Sequence, residues 1–586
     1  MNKKLLVSGI ILSLIVAYFI IPPIYNQYQQ EQFYNNMITA TAVSNADLAR
    51  VLYYYKQLQD DINALNLRVT TNENDIAQIL IDIANLQSAI NALQLWQTQH
   101  PQISEYDYIV GKWDNGTIYA LSGRTGTIVY SGTNASQVIQ NCIDALRGTD
   151  RGVVFIKARQ YDIDTTINIP YGLYLVGESS NYENGTRLIA ETGLNLVLNF
   201  SGYDTEYHEK GGLSHIYIGG NLEEDSAGIR IDRFLWFYID NIRIYGFDVN
   251  IELTNNYGCV IEKSKISSSL SYGILSRNNS IDSQSTGLIV SHCDINPYSG
   301  WGIGLNRSFR NVITENWFEY GPSRNGSWIY VIDSFGTRII GNMIGATRAS
   351  NYGIKLESIT TQVDETVIIG NTFNLNGTAI YVGDNCPEGI IDGNTFEMKG
   401  NNTAIHIDSS RWIVSNNMIE NEGSGIRIES SEVKVEGNKI YNCAGDGIIV
   451  GNGYFKCDII GNTISEVDGW GIYCLGERTL IASNFIFENG KDGILVVGDN
   501  NTVQGNVVYD NNQLLGSYSG IRIGSAQHCF ITNNFVFNST TQEYGIEEGG
   551  TADNNVIFGN MVGSGTMGDI RIIGVNTVSQ DNYPFT

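Results

Sequence analysis

The sequence predicts an all-β protein, a right-handed parallel β-helix (a solenoid), preceded by a transmembrane helix and a parallel coiled coil. Three observations carry this prediction. An apolar run follows the N-terminus, an unbroken heptad pattern follows the run, and the rest of the chain repeats itself every two dozen or so residues. The expected domains are a membrane anchor over 1–27, a coiled-coil stalk over 28–100, a β-like lead-in over 101–132 and a β-helix with an N-terminal cap helix over 133–586.

Lys3 and Lys4 precede an apolar stretch from Leu5 to Ile24, long enough to cross a bilayer as a helix. A cleaved signal peptide is the competing reading. However, Pro22-Pro23-Ile24-Tyr25 follows the run where a small-x-small site belongs, and the Ala-x-Ala of Ala40–Ala42 stands too far downstream. An uncleaved anchor with both lysines inside puts the C-terminal part outside, at a cell surface or virion envelope.

From Leu48 to Leu93 the apolar positions keep an alternating 3,4 spacing: Leu48, Val51, Tyr55, Leu58, Ile62, Leu65, Val69, Asn72, Ile76, Ile79, Ile83, Leu86, Ile90 and Leu93. A strict heptad held over this length marks a coiled coil, because a globular helix drifts towards a 3.6-residue period. With Ile62 at a, Ile at a and Leu at d lean to a dimer, whereas Ile76 and Ile79 together lean to a trimer. Asn72 interrupts the seam at d, where a buried polar side chain fixes register and strand number. The Val69-x-x-Asn72 segment resembles the Asn-at-d layers of trimeric adhesin and viral-fibre stalks, and a parallel homotrimer is expected.

The C-terminal region carries Asn-x-Ile/Phe/Val/Met units at Asn342, Asn371, Asn394, Asn417, Asn438, Asn462, Asn484, Asn506, Asn534 and Asn560, spaced by 21 to 29 residues. A second register runs through Gly353, Gly425, Gly447, Gly471, Gly493, Gly520 and Gly545, each followed by Ile. Periods of this size mean a solenoid. Gly, Asn or Asp cut each coil into short β-rich runs, no coil holds a helical stripe, and the Leu pattern of leucine-rich repeats is absent. Asn once per coil suits a tight bend, since it tolerates the left-handed conformation and its amide can bond to the same amide one coil on. Some 15 coils stacked at strand spacing give a rod of roughly 70 Å.

Ahead of the repeats, Asn134 to Arg147 reads as an amphipathic helix with Val138, Ile139, Cys142, Ile143 and Leu146 on its apolar face. Gly152-Val-Val-Phe-Ile156, Tyr161-Asp-Ile-Asp and Leu173-Tyr-Leu-Val-Gly177 follow. A cap helix feeding a first coil in this way resembles the pectate-lyase superfamily, which implies its right-handed architecture. The superfamily's Pro-x-Gly-x-Tyr turn is Lys157-Ala-Arg-Gln-Tyr161 here, so the likeness is to the architecture and not to a particular enzyme. Polygalacturonase-like signatures (Asn-Thr-Asp, Asp-Asp, Gly-His-Gly, Arg-Ile-Lys) do not occur in the blade, nor does the Asp-Pro-His-Asp of alginate epimerases.

Composition narrows the partners. A formal charge of −26 repels phosphates and excludes a nucleic-acid partner. Eight cysteines, none in a CxxC pair, argue against a zinc or redox site and read as buried free thiols, with disulfides as the alternative. Eleven sequons stand at Asn115, Asn134, Asn184, Asn199, Asn278, Asn306, Asn325, Asn376, Asn401, Asn500 and Asn538, none in the stalk, as fits an external glycoprotein. This low-charge, sequon-rich, Tyr/Asn/Ile-rich profile resembles archaeal surface proteins and viral spikes.

Enzymes on this fold work along the outer face of one sheet. If the Ile after each register Gly points inward, the next residue points out, which gives the column Lys355, Tyr381, His406, Arg427, Ile449, Tyr473, Leu495, Arg522 and Glu547. Two residues further stand Glu357, Asp408 and Glu429, with Asp384 one residue out of register. Asp408 and Glu429 would then lie about 5 Å apart on neighbouring coils, a separation that suits a retaining glycosidase pair or a shared cation site. They are the candidate catalytic residues, and Tyr381, His406, Arg427 and Tyr473 the candidate ligand-binding residues. Arg427 suits an acidic sugar and the tyrosines suit stacking on sugar rings. Glu223-Glu224-Asp225 reads as an acidic surface loop, with a cation site as the alternative. No cofactor is expected, a structural cation such as calcium aside.

Two functions remain open at this point. One is a trimeric recognition or structural protein, an adhesin or virion spike, that binds surface glycans or a receptor. The other is an anchored polysaccharide hydrolase or lyase.

Overall fold

The computed structural model describes residues 106–585 apart from 150, 202–207, 279–284, 320–326, 346–351, 422, 538–540 and 564. The segments expected to form an anchor (1–27) and a stalk (28–100) lie outside the described residues. Among the described residues, no helix is long and apolar enough to cross a membrane.

The lead-in is an antiparallel meander of Tyr108–Lys112, Ile118–Ser122 and Ile128–Gly132. Its first strand pairs in parallel with Gly152–Ile156, so the meander forms the base of the first sheet. The helix Ala135–Ala145 follows, shorter by a residue or two at each end than its sequence pattern. Asn134 caps it by accepting the Gln137 amide at 2.9 Å, and Val138, Ile139, Cys142 and Ile143 are buried against the first coil.

From Gly152 on, the chain winds through three parallel sheets. The first runs from Gly152–Ile156 to Val578–Gln580, the second from Arg159–Ile163 to Tyr583–Phe585, and the third from Ile167–Ile169 to Gly568–Arg571. All pairings between successive coils are parallel, as when Trp412–Ser415 follows Gly389–Asp392 and Ile426–Ile428 follows Ile405–Ile407. In the strand Tyr217–Asp232 the second and third sheets merge across a bulge at Glu223. The right-handed solenoid has about 17 coils, two more than the sequence spacing suggests, for a length of about 80 Å.

Two interior columns explain the repeat. Ile405, Ile426, Ile448, Ile472, Ile494, Ile521 and Ile546 are fully buried. The residue before most of them is Gly because the next coil closes over it: a Cβ on Gly447 would stand 2.5 Å from the Gly471 carbonyl oxygen. The second column is an amide ladder. Asn438 donates its backbone N–H and its Nδ2 to Asn462 Oδ1, both at 2.9 Å, and Nδ2 also reaches the Val414 carbonyl. The same set recurs from Asn342 to Asn560. The left-handed residue of this bend is not the ladder Asn, however, but the one before it: Asn416, Gly437, Gly461, Ser483 and Gly505 have φ between 53° and 65°. The ladder Asn stands immediately before the second-sheet strand and is not among the residues with positive φ.

All eight cysteines are buried and unpaired. Burial pushes the Cys259, Cys293 and Cys474 thiols up to about 12, which makes them inert core residues.

Candidate functional site

The third sheet places the predicted column in register. Tyr330, Lys355, Tyr381, His406, Arg427, Ile449, Tyr473, Leu495, Arg522 and Glu547 are direct partners on successive strands. They face outward because their neighbours along each strand face in: Ile405 and Ile407 flank His406, Ile426 and Ile428 flank Arg427, and all four are fully buried.

Five of the predicted residues converge. His406 Nε2 lies 2.8 Å from Asp408 Oδ1 and 3.1 Å from Glu429 Oε2 on the next coil. Its N–H is directed at Glu429. Asp408 Oδ1 is nearer but off that direction, and this buried oxygen is left without a hydrogen-bond donor. The Tyr381 hydroxyl donates to Asp408 Oδ2 at 2.7 Å, and the Tyr381 ring meets the imidazole edge-on at 5.3 Å. Arg427 Nε donates to Glu429 Oε1 at 2.8 Å, and its Nη2 bonds the same oxygen.

The electrostatics follow from this wiring. Burial opposes ionisation of Asp408, but the imidazole of His406 beside it and the hydrogen bond from Tyr381 outweigh it and hold the carboxyl below its ordinary value. Glu429 is also held low: burial is outweighed by Arg427 and His406. Burial alone would lower His406, yet the two carboxylates raise it. Burial and the Asp408 charge push the Tyr381 phenol up. Tyr454 is also raised, by burial and by the charges of Glu429, Asp408 and Asp384.

A related unit stands toward the N-terminal end of the solenoid. The Tyr330 hydroxyl bonds Glu357, Lys355 Nζ pairs with Glu357 at 3.1 Å, and the ammonium lies over the Tyr330 and Tyr352 rings at 5.2 and 5.7 Å. Trp301 stacks on Tyr330 at 4.2 Å and Tyr352 meets Tyr381 at 5.2 Å. The outer face from Trp301 to Glu429 is thus one aromatic and charged strip. Tyr330, Tyr352 and Trp301 escaped the sequence reading; Tyr330 was within reach of the same count extended by one coil, whereas Tyr352, three residues before Lys355, falls off its period-2 parity.

Tyr473 does not join this group. It lies three coils beyond His406, against Trp470 at 4.6 Å. Nearby, Asp492 accepts from Trp470 Nε1 at 3.0 Å and pairs with Arg522 at 3.2 Å, while Glu547 is held by Arg522 and Arg571 at 2.8 and 3.0 Å. Burial pushes Asp492 up to about 6 against the pull of Arg522.

Between the second and third sheets, Glu466, Asp468, Glu488, Asp510, Gln513 and Leu514 line a cleft of about 520 Å³. The sequence signal for it is the 28-residue step from Asn506 to Asn534, six longer than the 22-residue step before it. Glu223 lies in the bulge of its strand and accepts the Gly193 amide at 2.9 and 3.1 Å. Of the sequons, Asn115, Asn134, Asn184, Asn401 and Asn500 are exposed, Asn199, Asn278, Asn306 and Asn376 are half-buried, and Asn325 and Asn538 lie outside the described residues.

The chain is a right-handed parallel β-helix protein. Residues 403–562 match the family model for the right-handed β-helix region, and residues 322–466 match a model described as periplasmic copper-binding protein (NosD). No curated protein matches the chain. Solved structures similar to it include the tailspike protein of E. coli bacteriophage HK620, at 13% identity over 72% of this chain and 76% of that one, with a TM-score of 0.43. DFA-IIIase from Arthrobacter chlorophenolicus A6 is 12% identical over 56% of this chain and 90% of its own, with a TM-score of 0.40. PfbA, a surface adhesin of Streptococcus pneumoniae, is 14% identical over 59% of this chain and 88% of its own, with a TM-score of 0.34.

Proposed function

We propose that the chain is a membrane-anchored, trimeric, extracellular recognition protein, an adhesin or virion spike, whose third-sheet outer face binds surface glycans or a glycan-bearing receptor. The observation that carries this reading is the continuous strip of Trp301, Tyr330, Tyr352, Tyr381, His406 and Arg427, with carboxylates fixed between them. Over five coil steps it extends about 24 Å, room for several sugar rings. Aromatic edges and faces supply apolar contact, and pre-oriented charged groups supply directional hydrogen bonds. Trimerisation through the 28–100 stalk would multiply weak contacts into avidity.

The second reading, an anchored polysaccharide hydrolase or lyase, draws on Asp408 and Glu429, whose carboxylates approach within 4.8 Å of each other. A retaining pair at this separation needs one carboxyl raised so that it can give a proton. Both carboxyls here are lowered instead, which favours binding over hydrolysis.

A glycan array and a reducing-end assay on the full chain test the proposal. Binding without release of reducing ends is expected, with Arg427→Ala and Trp301→Ala each weakening the best glycan about 10-fold, equivalent to about 1.4 kcal/mol. Reducing-end release that Glu429→Gln abolishes would overturn it in favour of the hydrolase. Binding that neither substitution alters would place the ligand elsewhere on the blade.

A further inference from the structure

We infer that His406, Asp408 and Glu429 form a binding site for one borderline divalent metal ion, of the zinc or manganese class. The three donor atoms, Nε2, Oδ1 and Oε2, lie within 4.8 Å of one another. The two separations from Nε2 are 2.8 and 3.1 Å. Ligands about 2.1 Å from a common ion and at right angles stand about 3.0 Å apart, so the imidazole Nε2 stands at the spacing of a neighbouring ligand from each carboxylate oxygen.

Hydrogen bonding within the cluster is incomplete, and a cation completes it. The single hydrogen on Nε2 serves Glu429, and Asp408 Oδ1 stays buried with no donor. An ion at the centre takes all three atoms at once. The outer contacts are already those of a metal site: Tyr381 holds the far oxygen of Asp408 and Arg427 holds the far oxygen of Glu429. Each carboxylate is thereby turned so that its other oxygen faces the centre, the usual work of groups behind metal ligands. One imidazole with two carboxylates suits a borderline ion, whereas calcium and magnesium prefer oxygen alone. His406, Asp408 and Glu429 are all partly exposed, which leaves coordination positions open to water or to ligand hydroxyls.

The inference does not depend on glycan binding, because uptake is measured with no sugar present. The full chain, stripped with chelator, is titrated calorimetrically with ZnCl₂ and separately with MnCl₂. One ion per chain at micromolar or tighter Kd is expected. His406→Gln and Asp408→Asn should each weaken it at least 10-fold, and Tyr381→Phe about 10-fold. Glu357→Gln, at the carboxylate tied to Lys355 and Tyr330, should leave uptake unchanged. Wild-type protein gives a second readout that needs no variant: zinc should block diethylpyrocarbonate modification of His406, and calcium should not. No uptake of either ion, uptake unaffected by the His406 and Asp408 changes, or modification at the same rate in saturating zinc would each overturn the site and leave a plain imidazolium–carboxylate cluster.

Discussion

Replacing Asn462 with Leu tests what holds one coil to the next. Asn462 is fully buried, and its side chain makes five contacts in the ladder. Oδ1 accepts the Asn438 amide N–H and Nδ2, both at 2.9 Å. Nδ2 donates to the carbonyls of Val435 and Ile460 at 3.0 and 3.3 Å and to Asn484 Oδ1 at 3.0 Å. Leu is of similar size but makes none of these. The Asn438 N–H and the Val435 carbonyl then lose these partners inside the solenoid, at about 1–3 kcal/mol each, so the expected loss is about 2–6 kcal/mol. Asn438 Nδ2 keeps its bonds to Val414 and Glu436 and adds little. Urea unfolding gives the global change, and hydrogen exchange at the Asn438 amide gives the local one, since a long repeat array need not unfold as a unit. Asn452→Leu, on an exposed turn, is the matched control, with an expected change under about 0.5 kcal/mol. If Asn462→Leu shifts neither the urea midpoint nor the exchange rate beyond that control, the amide ladder is not what stabilises the stack.

Gly471→Ala should cost about 1–3 kcal/mol, because its Cβ would meet the Gly493 oxygen at 2.5 Å and Ile486 Cγ2 at 2.6 Å. Gly549→Ala, whose Cβ finds only the Ile523 oxygen at 3.9 Å, should be neutral in the same melt. Asp492, raised to about 6 by burial, binds its proton more tightly folded than unfolded. Its contribution, on the order of 3 kcal/mol, is complete below about pH 4 and lost as the pH rises through 6. Asp492→Asn, still facing Arg522 and near Glu547, should flatten the stability profile in that window, and an unchanged slope would refute the assignment. Light scattering of the detergent-solubilised chain should give the mass of three copies, with a monomer excluding the coiled coil and a dimer excluding the strand number. Asn72→Ile should raise the stalk's melting temperature while loosening its control of oligomer state.

What the sequence made legible was local and periodic. The Gly–Ile register, with Ala379-Ile380 and Ala404-Ile405 standing in on two coils, located the inward side of the third-sheet strands around Lys355 to Glu547, so strand alternation was enough to find the His406 column and its neighbouring carboxylates. The ladder was legible for the same reason, since one Asn per coil leaves few roles for a buried amide. Its left-handed residue was misplaced by one position because both Asn and Gly tolerate that conformation, and either could occupy it. Tyr473 was grouped with His406 although three coils of spacing separate them; sharing a column is not sharing a site. Asp492 was missed because its burial comes from Trp470 and Ser519 on adjacent coils, contacts that no stretch of sequence displays. The 466–514 cleft left only a lengthened repeat as its trace.

A solenoid separates stability from recognition more cleanly than a globular core does. The Ile columns and the Asn ladder lie inside and are complete without any outward side chain. The outward groups are fixed instead by one another across the coil spacing: Tyr381 orients Asp408 on the next coil, and His406 reaches Glu429 on the next. Strand spacing alone brings such groups within hydrogen-bonding distance, so the site is preorganised without a supporting loop. The physical consequence is an uncoupling. Arg427→Ala removes a half-exposed guanidinium and its bonds to Glu429, all outside the core, and should alter binding while shifting the unfolding midpoint by no more than an ordinary surface change, under about 0.5 kcal/mol. The converse holds inside. Asn462→Leu should loosen the coils around it while leaving His406, Asp408 and Glu429, which are positioned by their own contacts on the third sheet, able to bind.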